Sequence, residues 1–237
     1  MESPADSGPG RVADRPSADD RDDLSETCRK ACQMSEQRTV PWHEGDWLNE
    51  PQQQADGSGL LVTTRERSDF WRTTGYGFVR DDGHALLAPF PQGGATEVTF
   101  RADFDTLYDQ AGLMVRVDAE NWIKAGIEFS DGVPHLGAVV TRGVSDWSLA
   151  PVPDWQARLV TVRASRSGDA VTVRARCEDG PWRLVRLAPL PADAAATAGP
   201  FCCSPERGGL EVHFTRFTRG PADAALHLPA DASTADA

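Results

Sequence analysis

Between Asp109 and Ser148, polar and charged residues stand at fixed places among aromatic and apolar ones, and their types suit recognition of a polar molecule. Three short words carry the pattern: Asp109-Gln110-Ala111-Gly112-Leu113-Met114, Trp122-Ile123-Lys124-Ala125-Gly126-Ile127-Glu128 and Ser145-Asp146-Trp147-Ser148. A fourth lies upstream, Ser68-Asp69-Phe70-Trp71-Arg72-Thr73-Thr74-Gly75-Tyr76-Gly77. Indole and phenol rings stack on sugar faces, while carboxylates, amides and cations take hydroxyls or anionic substituents. The candidate ligand-binding set is therefore Trp71, Tyr76, Trp122 and Trp147 as platforms, with Asp69, Arg72, Asp109, Gln110, Lys124, Glu128 and Asp146 as polar contacts. Within it, Lys124 and Arg72 suit an anionic group, so the expected ligand is a carbohydrate or a sugar phosphate. A lysine serving only a ligand is expected to be dispensable for the fold.

Catalysis is the alternative. Glycoside hydrolysis needs two carboxylates at a defined separation, and Glu128 with Asp109 or Asp146 is the pair on offer. Lys124 and Glu128 themselves stand ~13 Å apart along a strand. No Gly-x-Ser-x-Gly elbow accompanies the serines, and the five His are scattered without ligand spacing. Asp81-Asp82-Gly83 and Asp103-Phe104-Asp105 offer oxygens for calcium but read first as solvated turns. Gly93-Gly94 lacks the Lys of a phosphate loop. The reading assigns no catalytic residue, no metal and no cofactor, and leans away from an enzyme.

The elements that must position these residues are strands. Alternation places Val98, Phe100, Ala102 and Phe104 on one face, then Ala111, Leu113, Val115 and Val117, then Ile123 to Phe129, then Leu136, Ala138 and Val140. Further strands are expected over 159–165, 170–176, 182–187 and 210–214, and helical periodicity is nearly absent. One-sided alternation marks antiparallel sheets with one buried face, and this many short strands imply a jelly-roll sandwich. Matching apolar faces across the turn at 118–121 pairs Leu113 with Ile127, Val115 with Ala125 and Val117 with Ile123. A turn over Ser130–His135 then pairs Leu136 with Phe129. The second face collects Met114, Arg116, Lys124, Glu128 and Thr141 around Gly112, Gly126 and Gly137. Mid-strand glycines weaken a sheet unless something must approach it closely.

Composition bounds the rest. The 237 residues carry a net charge of −12, from 36 acids and 24 bases. Residues 1–40 hold nine acids and six bases, and 221–237 hold three acids with no Lys or Arg. A mildly acidic core lacks the clustered cations that nucleic acid requires. No run approaches the ~20 apolar residues of a membrane span, and no apolar leader opens the chain. Nucleic acid and membrane are thus not expected partners. Five Cys without framework spacing read as reduced thiols of a cytoplasmic protein. Residues 1–38 read as a disordered arm with a short helix at Leu24–Met34 carrying Cys28 and Cys32, 39–220 as one β-sandwich domain, and 221–237 as a disordered tail.

The four words, with Tyr108 before Asp109, Phe78 after Gly77, Val139-Val140-Thr141 and Cys203-Ser204-Pro205, resemble the domain-of-unknown-function 1349 family from about Trp42 to Phe217. One departure is Gly137-Ala138 before Val139, where the family usually carries Ser, which touches a single hydroxyl contact. The resemblance implies a concanavalin A-like lectin/glucanase sandwich. Glucanases of that fold carry Glu-x-Asp-x-x-Glu on one strand, a pattern missing here. The family also implies a further alternative, an interaction module regulating a metabolic enzyme such as enolase.

Overall fold

The structure, a computed structural model, describes residues 36–227. The helix expected at Leu24–Met34, with Cys28 and Cys32, lies outside the described residues, as do residues 228–237. Two antiparallel sheets face each other in a jelly-roll sandwich. The site sheet has seven strands, in spatial order β12 (Val144–Pro151), β11 (Val133–Arg142), β10 (Asn121–Ser130), β9 (Gln110–Arg116), β16 (Thr197–Cys203), β7 (His84–Pro89) and β2 (Asp46–Leu48). Opposite it run β15 (Arg183–Pro189), β14 (Ala170–Cys177), β13 (Val160–Ser167), β8 (Gly94–Ala102), β17 (Glu211–Pro221), β4 (Gly59–Thr63) and β3 (Gln52–Asp56), with β1 (Arg38–Thr39) also on β17. A separate hairpin, β5 (Phe70–Arg72) and β6 (Val79–Asp81), belongs to neither sheet.

The alternation read from sequence sorts side chains as expected. Ala111, Leu113, Val115, Ile123, Ala125, Ile127, Leu136, Ala138 and Val140 are buried between the sheets against Val98, Phe100, Val162 and Phe214. Burial of such side chains, worth about 1.5–3 kcal/mol each for the larger ones, fixes which face of every strand points inward.

The register differs from expectation by two residues in both hairpins, which preserves the faces but changes the neighbours. Val115 faces Ile123 and Leu113 faces Ala125. Asp118 explains the first shift: its carboxylate accepts from Glu120 N at 2.7 Å and Asn121 Nδ2 at 2.9 Å, drawing Val117–Asn121 into the turn. The second turn is not six residues long but two. Ser130 pairs with Val133 around Asp131 and Gly132, whose φ angles of 52° and 79° are those of a type I′ turn.

This register builds three parallel rows on the outer face of the site sheet. One runs Trp147, Val139, Lys124, Met114; the next Leu149, Gly137, Gly126, Gly112, Phe201; the third His135, Glu128, Gln110, Cys203. The three glycines are neighbours across three strands. A Cβ on Gly126 would lie 2.2 Å from the Ala111 carbonyl oxygen, and one on Gly112 would lie 2.1 Å from that of Ala125.

The ends of the domain reach further than composition indicated. Gln37 Nε2 donates to Glu97 and to Thr218, and β1 pairs with β17. Beyond Gly220, Pro221 completes β17 and the Asp223 carboxylate bridges Arg163 and Arg174. Edge pairing and a counter-charge for two arginines on the outer face of β13 and β14 recruit segments too polar to pack on hydrophobicity alone.

Gly126→Ala should cost about 1–3 kcal/mol or more, because the added methyl meets main chain that cannot rotate away. Chemical denaturation checks this; a loss under about 0.5 kcal/mol would mean that the strands spread freely.

Candidate functional site

The β5–β6 hairpin lies across the outer face of the site sheet, and identifiable contacts hold it there. Arg116 on β9 grips the Asp81 carboxylate with two hydrogen bonds of 2.8 Å. Arg72 N donates to Ser145 Oγ at 3.0 Å, its Nε to the Gly143 carbonyl, and its Nη2 to Glu120 at 2.7 Å. Beneath the hairpin, Phe70 and Trp71 join Met114, Trp122, Val139, Phe201 and Leu87 in a second apolar cluster, separate from the inter-sheet core. The hairpin thus covers much of the outer face of this sheet.

A cleft of about 110 Å³ remains between the hairpin tip and the sheet. Trp71, Tyr76 and Phe78 wall it on the hairpin side, and Trp147 stands on β12. Gln110, Lys124 and Glu128 rise from the sheet, Asp69 leads into β5, and Tyr108, Pro205 and Glu206 come from two loops. Below, between Lys124 and Glu128, the glycine row leaves a hollow of about 20 Å³, room for about one water.

The electrostatics follow from burial. Lys124 is 3% exposed and donates to Asp69 Oδ1 at 3.0 Å. Burial opposes its charge, but Asp69, Cys203 and Glu128 outweigh that and hold the ammonium above its usual range. Glu128 is 7% exposed, and its Oε1 is buried without a hydrogen-bond donor among the described residues. Desolvation, opposed by Lys124 and assisted by Asp69, pushes its carboxyl up to about 7. The Tyr108 hydroxyl lies 3.1 Å from that of Tyr76; this bond, with burial and the nearby Glu128 and Glu206, pushes it up to about 12. Cys177, Cys202 and Cys203 are buried free thiols, and burial raises that of Cys203 well above its ordinary value despite Lys124.

Of the eleven residues singled out in the sequence, Asp69, Trp71, Tyr76, Gln110, Lys124, Glu128 and Trp147 line the cleft. Four do not. Asp109 is 0% exposed and saturated by Arg207 Nε, Arg207 Nη2 and the Thr106 amide. Arg72 is committed to pinning the hairpin. Trp122 is buried beneath it, with its ring centroid 6.2 Å from that of Phe70. Asp146 alternates with Trp147 along β12, so it points to the opposite side and pairs with Arg186. The carboxylate pairs proposed for hydrolysis, Glu128 with Asp109 or with Asp146, therefore do not meet in this cleft. The expected anion grip of Lys124 and Arg72 does not assemble either, since each cation is already held by a carboxylate. Phe78, Tyr108, Pro205 and Glu206 are additions. The first three stood inside or beside the words quoted above, but sequence separation hid their convergence.

Two outcomes follow. Lys124→Ala should destabilise the fold by about 3 kcal/mol, because it strands the Asp69 carboxylate under the hairpin; an unchanged denaturation midpoint would overturn this and restore the lysine as a ligand group only. For Glu128, a carboxyl raised from about 4.5 to about 7 favours the folded state fully below pH 4.5, and that stabilisation is lost as pH rises through 7. Glu128→Gln should thus gain on wild type by roughly 3 kcal/mol between pH 4.5 and 8, read by denaturation at each pH; a pH-independent difference would overturn it.

A family described as "protein of unknown function (DUF1349)" matches residues 47–222. The chain is 40% identical to "Regulation of enolase protein 1" of Saccharomyces cerevisiae over 196 residues, covering 82% of this chain and 98% of that one. A crystal structure of a functionally unknown protein from Saccharomyces cerevisiae superposes with a TM-score of 0.74 at 38% identity, over 78% of this chain and 100% of the other. A xylan β-1,4-xylosidase from Bacillus halodurans superposes with a TM-score of 0.56 at 14% identity, over 77% of this chain but only 40% of the enzyme. That last likeness is one of fold.

Proposed function

The chain belongs to the DUF1349 family of proteins of unknown function, and on that premise we propose that it is a non-catalytic recognition protein that holds a small polar ligand of carbohydrate type in the cleft. The observation that carries this reading is a buried carboxyl, Glu128, whose Oε1 lacks a donor in an aromatic-walled cleft. An acceptor without a donor is costly unless a partner arrives. Rings at the walls with polar groups on the floor is the arrangement that sugars favour. Because Arg72 and Lys124 are both engaged, the reading favours unphosphorylated over phosphorylated sugars. Cytoplasmic residence suits the three buried free thiols. Among the described residues no helix is long and apolar enough to cross a membrane.

A second reading is docking onto a metabolic enzyme such as enolase. The name of the yeast relative suggests it, and the hairpin tip supplies a surface, with Tyr76 48% and Phe78 43% exposed and their rings stacked at 5.6 Å.

Indole resonances separate the two readings. Titration of the full chain with a panel of monosaccharides should move the ring N–H signals of Trp71 and Trp147, leave those of Trp155 and Trp182 in place, and weaken about tenfold in Trp147→Ala. Shifts confined to other indoles, or none, would sink the cleft reading; shifts on adding enolase alone would favour the second.

A further inference from the structure

Three carboxyls reach the cleft, those of Asp69, Glu128 and Glu206, against one ammonium, that of Lys124. That ammonium already donates to Asp69 and lies 5.9 Å from the Trp122 ring centroid, so it is not presented to an incoming anion. The groups lining the cleft keep an excess of negative charge in either protonation state of Glu128.

The rings add a second reason. Tyr76 stands at 79° to Trp71 with centroids 5.4 Å apart, and Trp147 at 87° and 6.0 Å. Aromatic walls set nearly at right angles beside carboxylates form an enclosure that attracts cations through the ring quadrupoles. The third observation narrows the kind of cation. Glu128, more than nine-tenths buried, lines both the cleft and the hollow beneath, and its Oε1 receives no hydrogen bond. An N–H satisfies that oxygen; a fully methylated ammonium has no proton to give. Rotation about the last side-chain torsion of Glu128 is soft, so either oxygen can be turned to the ligand.

We propose that the cleft takes a protonated primary or secondary amine carried by a small polyhydroxy molecule, with the ammonium among Trp71, Tyr76 and Trp147 and donating to Glu128. The inference rests on the binding reading given above and adds the sign of the ligand's charge. The simplest rival for the Glu128 oxygen is a single water in the glycine-floored hollow. Such a water satisfies the acceptor, yet it leaves the surplus negative charge and the ring walls without a counterpart.

Binding involves no covalent step, only the ionisation of Glu128 against the cation. The charged and titratable groups around that carboxyl are Lys124 on its own strand, Asp69 and Tyr76 from the hairpin, Tyr108 and Glu206 from the loops, and His135 directly across on β11. Tyr108, pushed up to about 12, remains a neutral hydroxyl between pH 6 and 8.

The test is titration of the full chain at pH 6 and pH 8, followed by tryptophan fluorescence or NMR, with a matched set of probes. These are 1-amino-1-deoxysorbitol, which stays protonated over this range, its neutral parent sorbitol, tetramethylammonium, and glucose 6-phosphate. At pH 8 the amine should bind at least about tenfold tighter than sorbitol, as a charge-assisted hydrogen bond to a buried carboxylate implies. That advantage should shrink about tenfold at pH 6, where Glu128 is protonated, and in Glu128→Gln the ratio of amine to sorbitol affinity should fall to about one at both pH values; survival of the pH dependence in that variant would assign it to another group and overturn the contact. Sorbitol binding as tightly as the amine would leave the carbohydrate reading standing and remove this one. Tetramethylammonium matching the amine would overturn the Glu128 contact, and preference for the phosphate would overturn the charge. No binding by any probe at either pH would remove both readings together.

Discussion

The ion pair between Lys124 and Asp69 is the constraint on which the site is built. Lys124 projects from β10, an interior strand of the site sheet, into a region closed over by Phe70, Trp71 and Trp122. An ammonium left alone there would be expelled or discharged. Asp69, at the entrance to β5, lets the hairpin close, and the hairpin in turn supplies the aromatic walls. Arg116–Asp81 and Arg72–Glu120 then fasten its far strand and its flank. Polar residues that a sequence presents as ligand contacts are here the fittings that hold a cover onto a sheet.

The second constraint is the glycine row. The main chains of β9 and β10 approach so closely at Gly112 and Gly126 that a side chain on either would strike a carbonyl of the other. The missing side chains leave a depression between the Lys124 and Glu128 rows, and Glu128 is buried beside it with one oxygen unpaired. The high affinity of that carboxyl for its proton is thus a product of sheet geometry. Burial sets it, and the nearest cation already has a partner.

Most of the sandwich was legible in the alternation of apolar residues, because face assignment needs only the period-two pattern and a buried core. Neighbour assignment was less so. Both hairpins slipped by two residues, although Asp131-Gly132 is itself a strong two-residue turn signal and Asp118 a strong turn former. Counting apolar faces is blind to a shift that preserves parity. The site was partly legible for the same reason. Residues sharing a face with Lys124 converged, whereas Asp146 stood one position out of phase with Trp147. Asp109 and Arg72 were the right types in the wrong roles, since their partners Arg207, Glu120 and Gly143 lie far away in sequence. No local pattern announces that a charge has already been neutralised.

The hairpin tip between Arg72 and Val79 turns through Thr73, Gly75 and Gly77, all with positive φ, and belongs to neither sheet. The floor of the cleft is sheet main chain, fixed by register, while much of its wall is this six-residue excursion. The two are separable in heredity. Substitutions at Tyr76 or Phe78 reshape the cleft wall without disturbing strand pairing, whereas the close-packed glycine floor leaves no room for added side chains. A lineage carrying this scaffold can therefore recast the wall of the cleft quickly while its architecture stays still.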